Sequence, residues 1–234
     1  MDEPPQHVPL VIEVRSIARG RRRLLVLDDG RELPFSEEAC ERVGIAPGMA
    51  ADDAVLEALD RADQRVSVHE AALRLLSHRA RSRNEMRTRL AIRGFPSEAI
   101  DDEIDRLQNA GLLDDEKFAR AWVEDRKRTA PRGRRMLRYE LLGRGIEPES
   151  VDLATRDVDD RETALALARQ KARTAPTTSY EAFLARVGGF LRRRGFDYTL
   201  TTEATRAAWA EVLADMASLE VEGARSLPGT LDSN

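Results

Sequence analysis

Cysteine is almost missing from this chain: Cys40 stands alone in 234 residues, so no intramolecular disulfide and no cysteine-rich zinc site can form. A single thiol of this kind suits a small buried apolar space. Histidine is equally sparse, with His7, His69 and His78 at no HExxH or CxxC spacing, and a metal site needs about three or four ligands. No metal is therefore expected. Aromatics make up 5% of the residues, which leaves little material for a deep apolar pocket. No apolar run reaches the ~18 residues a membrane span requires, and Met1 to Leu10 lacks the basic start of a secretory signal. A soluble, cytoplasmic protein without membrane contact is the expectation. There is no P-loop and no GxGxxG, and Gly143-x-Gly145 has no strand before it. Ser, His and Asp occur without a nucleophile elbow. Paired carboxylates at Asp101-Asp102-Glu103 and Asp114-Asp115-Glu116 fall where helices are expected to start, a place that favours negative charge without catalysis. Neither an enzyme nor a cofactor is expected.

What the chain has in quantity is charge, 34% of its residues, and one phrase spoken three times. The phrase reads Leu90-x-x-Arg93-Gly94-Phe95, Leu141-x-x-Arg144-Gly145-Ile146 and Leu191-x-x-Arg194-Gly195-Phe196, its arginines 51 and then 50 residues apart. Such a period marks repeated units. Met86, Leu137 and Val187 each stand one helical turn before the leucine, so each phrase is the end of an amphipathic helix. The glycine supplies the left-handed stop. The arginine has two readings: a cation interacting with the helix dipole, worth about 0.3–1 kcal/mol, or one of a row facing a partner.

Helix signals place three helices in each unit. Ser82-x-x-Glu85 is a capping box, Pro131 to Gly133 and Ala175-Pro176 are breaks, and Gly111 is a stop. Before the repeats, Val11 to Ile17, Leu24 to Leu27 and Glu32 to Phe35 read as a β meander, with Asp29-Gly30 as a two-residue hairpin turn. Short helices follow over Ser36 to Val43 and Ala51 to Ala62. The fold class is therefore mainly α, a tandem array of three three-helix repeats forming a curved superhelix, preceded by a small β-meander plus helix module. The boundaries fall at 1–65 for that module, 66–113, 114–159 and 160–217 for the repeats, and 218–234 for a flexible tail. Residues 1–9 read as disordered.

The net charge of −4 hides a local reversal, because residues 120–144 hold nine Lys and Arg against three Asp and Glu. Arg126, Lys127, Arg128, Arg132, Arg134, Arg135, Arg138 and Arg144 straddle the Pro131 to Gly133 break, with Trp122 and Tyr139 nearby. A loop leading into a helix can hold anions on free backbone N–H groups, and arginine adds charge. The competing reading is that these arginines pair with Glu or Asp one helical turn away and that Trp122 is core. Only Lys117, Lys127 and Lys171 are lysines. Arginine's planar fork suits carboxylate and phosphate, though a GC-rich coding sequence gives the same bias.

Residues 67–213 resemble the RecX family, bacterial regulators of the RecA recombinase. The likeness is carried by Ala72-Leu73-x-x-Leu76-x-x-Arg79-x-x-Ser82-x-x-Glu85-Met86-x-x-Arg89-Leu90, by Gly111-Leu112-Leu113-Asp114-Asp115-x-x-Phe118-Ala119, by Gly133-x-x-x-Leu137-x-x-Glu140-Leu141-x-x-Arg144-Gly145-Ile146, and by Gly195-Phe196. The resemblance implies a monomeric, non-enzymatic protein that lies along the RecA filament and restrains ATP hydrolysis, strand exchange and repressor cleavage, with single- or double-stranded DNA as a further partner. The alternative is a stand-alone nucleic-acid-binding helical protein. On either reading the contact residues expected are Arg93, Arg144 and Arg194 of the three phrases together with the basic middle.

Overall fold

A computed structural model gives the fold, and it describes residues 7–225. The first part of the stretch expected to be disordered, residues 1–6, and the end of the expected tail, residues 226–234, lie outside the described residues. The chain divides into two compact units, Met1–Asp114 and Asp115–Asn234.

Unit 1 opens on the expected meander: β1 (Val11–Ile17), β2 (Arg22–Leu27) and β3 (Glu32–Ser36) form one antiparallel sheet in that order. Pro9 is already tied down, its carbonyl accepting from Ala51 N–H at 2.7 Å. The β2–β3 turn is longer than the two residues expected. Leu27 N–H donates to Arg31 O at 2.9 Å, which leaves Asp28, Asp29 and Gly30 as a three-residue loop with Gly30 at φ +87°. The Ser36 hydroxyl caps α1 (Glu37–Val43) by accepting from Ala39 N–H at 3.3 Å.

The helix expected over Ala51 to Ala62 and the first helix of the repeat expected from 66 are one, α2 (Asp53–His78), so the boundary expected at 65/66 falls inside a helix. The physical reason is plain in the sequence: Asp63-Gln64-Arg65-Val66-Ser67 holds no glycine or proline to stop it. Its first half buries Leu59 with Leu25, Phe35 and Cys40. Its second half buries Val68, Ala71, Ala72 and Leu75 against α3 (Arg83–Ala91) and α4 (Ser97–Asn109), where Met86, Leu90, Ile100, Ile104 and Leu107 complete the core. Ser82 caps α3 by accepting from Glu85 N–H at 3.2 Å, while the Glu85 carboxylate takes hydrogen bonds from Arg79 and Arg81. The cluster Asp101-Asp102-Glu103 lies inside α4, not at its start. Asp101 pairs with Arg87 at 2.6 Å, and buried Glu103 meets His69 Nδ1 at 2.7 Å.

Unit 2 holds α5 (Asp115–Thr129), α6 (Arg134–Leu142), α7 (Pro148–Thr155), α8 (Asp160–Ala172), α9 (Tyr180–Arg193) and α10 (Tyr198–Arg225). α10 runs past the end expected for the third repeat at 217 and into the stretch expected to be a flexible tail, because Ala217 to Arg225 contains one glycine and no proline. The apolar pairs that define the threefold phrase, Met86 with Leu90, Leu137 with Leu141 and Val187 with Leu191, are each at most 1% exposed. The glycine after each phrase is left-handed, and Ile146 N–H to Leu141 O at 3.2 Å and Phe196 N–H to Leu191 O at 3.4 Å close Schellman-type turns. The stripe and the stop are thus realised in all three repeats.

Candidate functional site

The basic segment is built by α5, the break at Pro131 to Gly133, and α6. α5 presents Trp122 and Arg126 one turn apart toward α6, where Glu140 receives them. Trp122 Nε1–H and Arg126 Nε–H both donate to Glu140 Oε2 at 2.9 Å. Arg132 Nε lies 2.7 Å from Oε1, an ion pair that does not meet hydrogen-bond geometry. Arg126 and Arg144 both lie over the Trp122 ring, at 4.1 and 3.6 Å from its centre, and Arg144 Nη1–H also donates to Glu140 O at 2.7 Å. Phe118 stacks on the same indole. Burial opposes the charge on Glu140, but the donors Arg126 and Trp122, with the charges of Arg126 and Arg132, outweigh it and hold the carboxyl below its usual range.

The rest of the segment is also largely paired. Lys127 meets Glu124 at 2.7 Å, exposed Arg128 meets Asp125 at 3.3 Å, and Arg138 meets Asp152. Arg134 reaches across to the end of α7, donating to Arg156 O at 3.0 Å and Val158 O at 2.8 Å, while its own N–H donates to Asp160 at 2.7 Å. Among the described residues, Arg135 has no ion pair or hydrogen-bond partner for its guanidinium; it is exposed, and Tyr139 on the same helix is 74% exposed.

The three phrase arginines fold back on their own scaffold. Arg93 is exposed but directs Nη1 to Ala71 O at 3.4 Å, and Ala71 lies on the first helix of its repeat as Trp122 does in the second. Arg194 crosses to the preceding repeat, where Nη1–H donates to Pro131 O at 2.8 Å, and its guanidinium lies 4.6 Å over Phe190. Burial, then the nearby Arg132 charge, lowers its pKa. Beside it Gly133 N–H donates to Arg194 O at 2.9 Å. The two backbones touch so closely that a Cβ on Gly133 would stand 3.0 Å from Gly195 C and O. Within unit 2 the structure therefore joins Arg126, Arg132 and Arg144 around Glu140 and Trp122. It brings Arg132 and Arg194 together at the junction of the second and third repeats and leaves Arg128 and Arg135 facing solvent. Sequence reasoning missed Glu140 as the acceptor and Arg194 as a junction residue. The Glu140-Leu141-x-x-Arg144 spacing was a visible hint only for the first.

These features define a class, a tandem helical-repeat protein with an arginine-rich middle and no convergent trio of metal-ligating side chains among the described residues. Family models described as the first, second and third three-helix domains of RecX match residues 69–107, 114–154 and 159–204. The chain belongs to the RecX family. It is 35% identical over 162 residues to the regulatory protein RecX of Corynebacterium efficiens, covering 66% of this chain and 77% of that one. It is 33% identical to that of Streptomyces coelicolor over 64% and 82%. A crystal structure of regulatory protein RecX shares the fold at a TM-score of 0.67 and 21% identity, over 85% of this chain and 99% of the other. RecX from Lactobacillus salivarius does so at 0.57 and 23%, over 63% and 97%. No helix among the described residues is long and apolar enough to cross a membrane.

Proposed function

We propose that this protein, a member of a family of regulatory proteins, binds the RecA–DNA filament as a monomer and restrains RecA's ATPase, strand exchange and repressor cleavage. The observation that carries the reading is the tandem of three family domains at a nearly constant sequence period. A filament offers one surface at regular intervals, and a chain of repeated domains can make several weak contacts whose combined strength exceeds any one. The solvent-facing cations Arg93, Arg128 and Arg135 serve as contact points, while Arg126, Arg132, Arg144 and Arg194 hold their positions from within. The test is RecA ATPase on single-stranded DNA with the protein added at stoichiometric concentration. The expected result is suppressed hydrolysis, and an unchanged rate would refute the proposal.

A second reading has its own observation, Arg135, without an ion pair among the described residues, beside exposed Tyr139 on α6, a charge and an aromatic face of the kind single strands stack on. Direct DNA binding through six to ten phosphates would weaken roughly 10³- to 10⁵-fold between 50 and 200 mM salt. Fluorescence anisotropy of a labelled oligonucleotide measures that slope. We expect a much shallower one, since most cations of the segment already have carboxylate partners and release few counterions.

A further inference from the structure

Within the third repeat, Ala208, Trp209 and Val212 of α10 face the core shared with α8 and α9. The stripe does not end with that core. Met216 and Leu219, one and two helical turns past Val212 on the same face, are 42% and 68% exposed, and Leu213 beside them is 47% exposed. The ion pairs of Arg161 with Glu203 and of Arg169 with Glu211 show the cause: α8 runs parallel to α10 and stops at Ala172, so from about Ala214 onward α10 outlasts the helix that covers it. Single apolar residues on a surface need no explanation, but a row that carries a buried stripe out into water does.

The charge along this overhang has one sign. From Ala207 to Ala224 the chain holds Glu211, Asp215, Glu220 and Glu222 and no lysine or arginine. Glu211 is taken by Arg169, whereas Asp215 is exposed and has no ion pair among the described residues. No cation stands three or four positions from Asp215 or Glu220, so the helix itself supplies neither with a counter-charge. Such a surface repels nucleic-acid phosphate, anionic lipid and the same segment of a second copy, and it attracts a cationic partner.

We infer that the overhang of α10 is a docking surface for a protein partner, which lays against Leu213, Met216 and Leu219 the apolar stripe of an amphipathic helix flanked by lysine or arginine. Rows at such helical spacing are how paired helices recognise one another, and opposite charges beside the seam select the partner. The inference goes beyond the filament reading, which rests on the repeated domains and on cations, and it places a second contact of the opposite sign on the last helix.

The experiment uses the full chain and a fluorescein-labelled helical peptide with leucines along one face and lysines beside them, followed by anisotropy. Two control peptides replace the leucines with alanine or the lysines with glutamate. Saturable binding of the first peptide, at least 10-fold tighter than either control, is expected. A variant combining Leu213→Ala, Met216→Ala and Leu219→Ala removes the stripe while alanine keeps the helix, and one combining Asp215→Lys with Glu220→Lys reverses the charge beside it. Each is expected to weaken binding at least 10-fold with an unchanged circular dichroism spectrum. Absence of saturable binding, equal binding of either control peptide, or full binding by either variant overturns the inference. Self-association in analytical ultracentrifugation that the triple alanine variant abolishes overturns it in favour of a second copy. Because the titration contains no RecA, its failure is separate from a failure of the ATPase assay.

Discussion

Gly195→Ala is expected to destabilise unit 2 by roughly 2–5 kcal/mol, while the equivalent change in the first repeat, Gly94→Ala, costs about 1–2 kcal/mol. Both glycines are left-handed, at φ +95° and +86°, so both substitutions carry the conformational cost of a side chain in that region. The difference is what surrounds them. A Cβ on Gly94 meets nothing within 4 Å, whereas on Gly195 it would stand 2.5 Å from Met136 Cβ and 2.9 Å from Met136 N. Backbone in α6 cannot swing aside as the end of a long side chain can. The extra cost is therefore that of forcing the two repeats apart, and it falls on the contact that also holds Arg194 against Pro131. Both tryptophans, Trp122 and Trp209, lie in unit 2, so tryptophan emission during urea unfolding reads that unit. A fall in the Gly195→Ala midpoint, relative to wild type, worth only about 1–2 kcal/mol would show that the glycine is needed only for its φ, and that the repeat junction tolerates more space than the structure allows.

That comparison also shows what a sequence can and cannot disclose. Glycine at the end of each phrase was legible because a helix stop is a local event, settled by a few residues and one φ angle. The same holds for the hydroxyl caps at Ser36 and Ser82 and for the apolar stripe that ends in Leu90, Leu141 and Leu191. The second duty of Gly195, to let another backbone approach, comes from Met136, 59 positions earlier in the chain, and leaves no local trace. The pairing of the basic segment is only partly legible for the same reason. Helical spacing finds pairs such as Lys127 with Glu124, but Arg126 and Arg132 share Glu140 across a helix break, and Arg134 finds carbonyls at the end of α7. A run of cations reads as a free patch until the fold shows which carboxylates and carbonyls it faces. The continuity of α2 was missed for the opposite reason: the apolar stripe changes partners from the sheet to α3 and α4 near residue 65, and a change of partner looks like a change of helix.

Glu140 is where the largest electrostatic effect is expected. Its carboxylate serves two hydrogen-bond donors, Trp122 and Arg126, and a second cation, Arg132, with its side chain 13% exposed and those of Arg126 and Arg132 22% and 30%. Glu140→Gln keeps an oxygen for Trp122 but removes the charge that two arginines share. Losing one partner of a well-buried pair costs about 3–5 kcal/mol. Because the guanidinium groups here retain some water, roughly 1–3 kcal/mol is the expected loss at neutral pH. The pH dependence fixes the sign. Glu140 is held below the ordinary glutamate value of about 4.3, so its contribution is complete above that value and disappears as pH falls through the lower folded-state value. Wild-type unit 2 is therefore expected to lose stability steeply below about pH 4, whereas the Gln variant starts lower and falls more gently, the two curves converging in acid. Glu85 is held low in the same way by Arg79 and Arg81 but belongs to unit 1, where tryptophan emission does not report it. If the two proteins instead differ by a constant amount from pH 7 to pH 3, the loss comes from packing around Trp122 and not from the carboxylate's charge. Arg126 and Arg144 would then be held chiefly by their stacking on that indole.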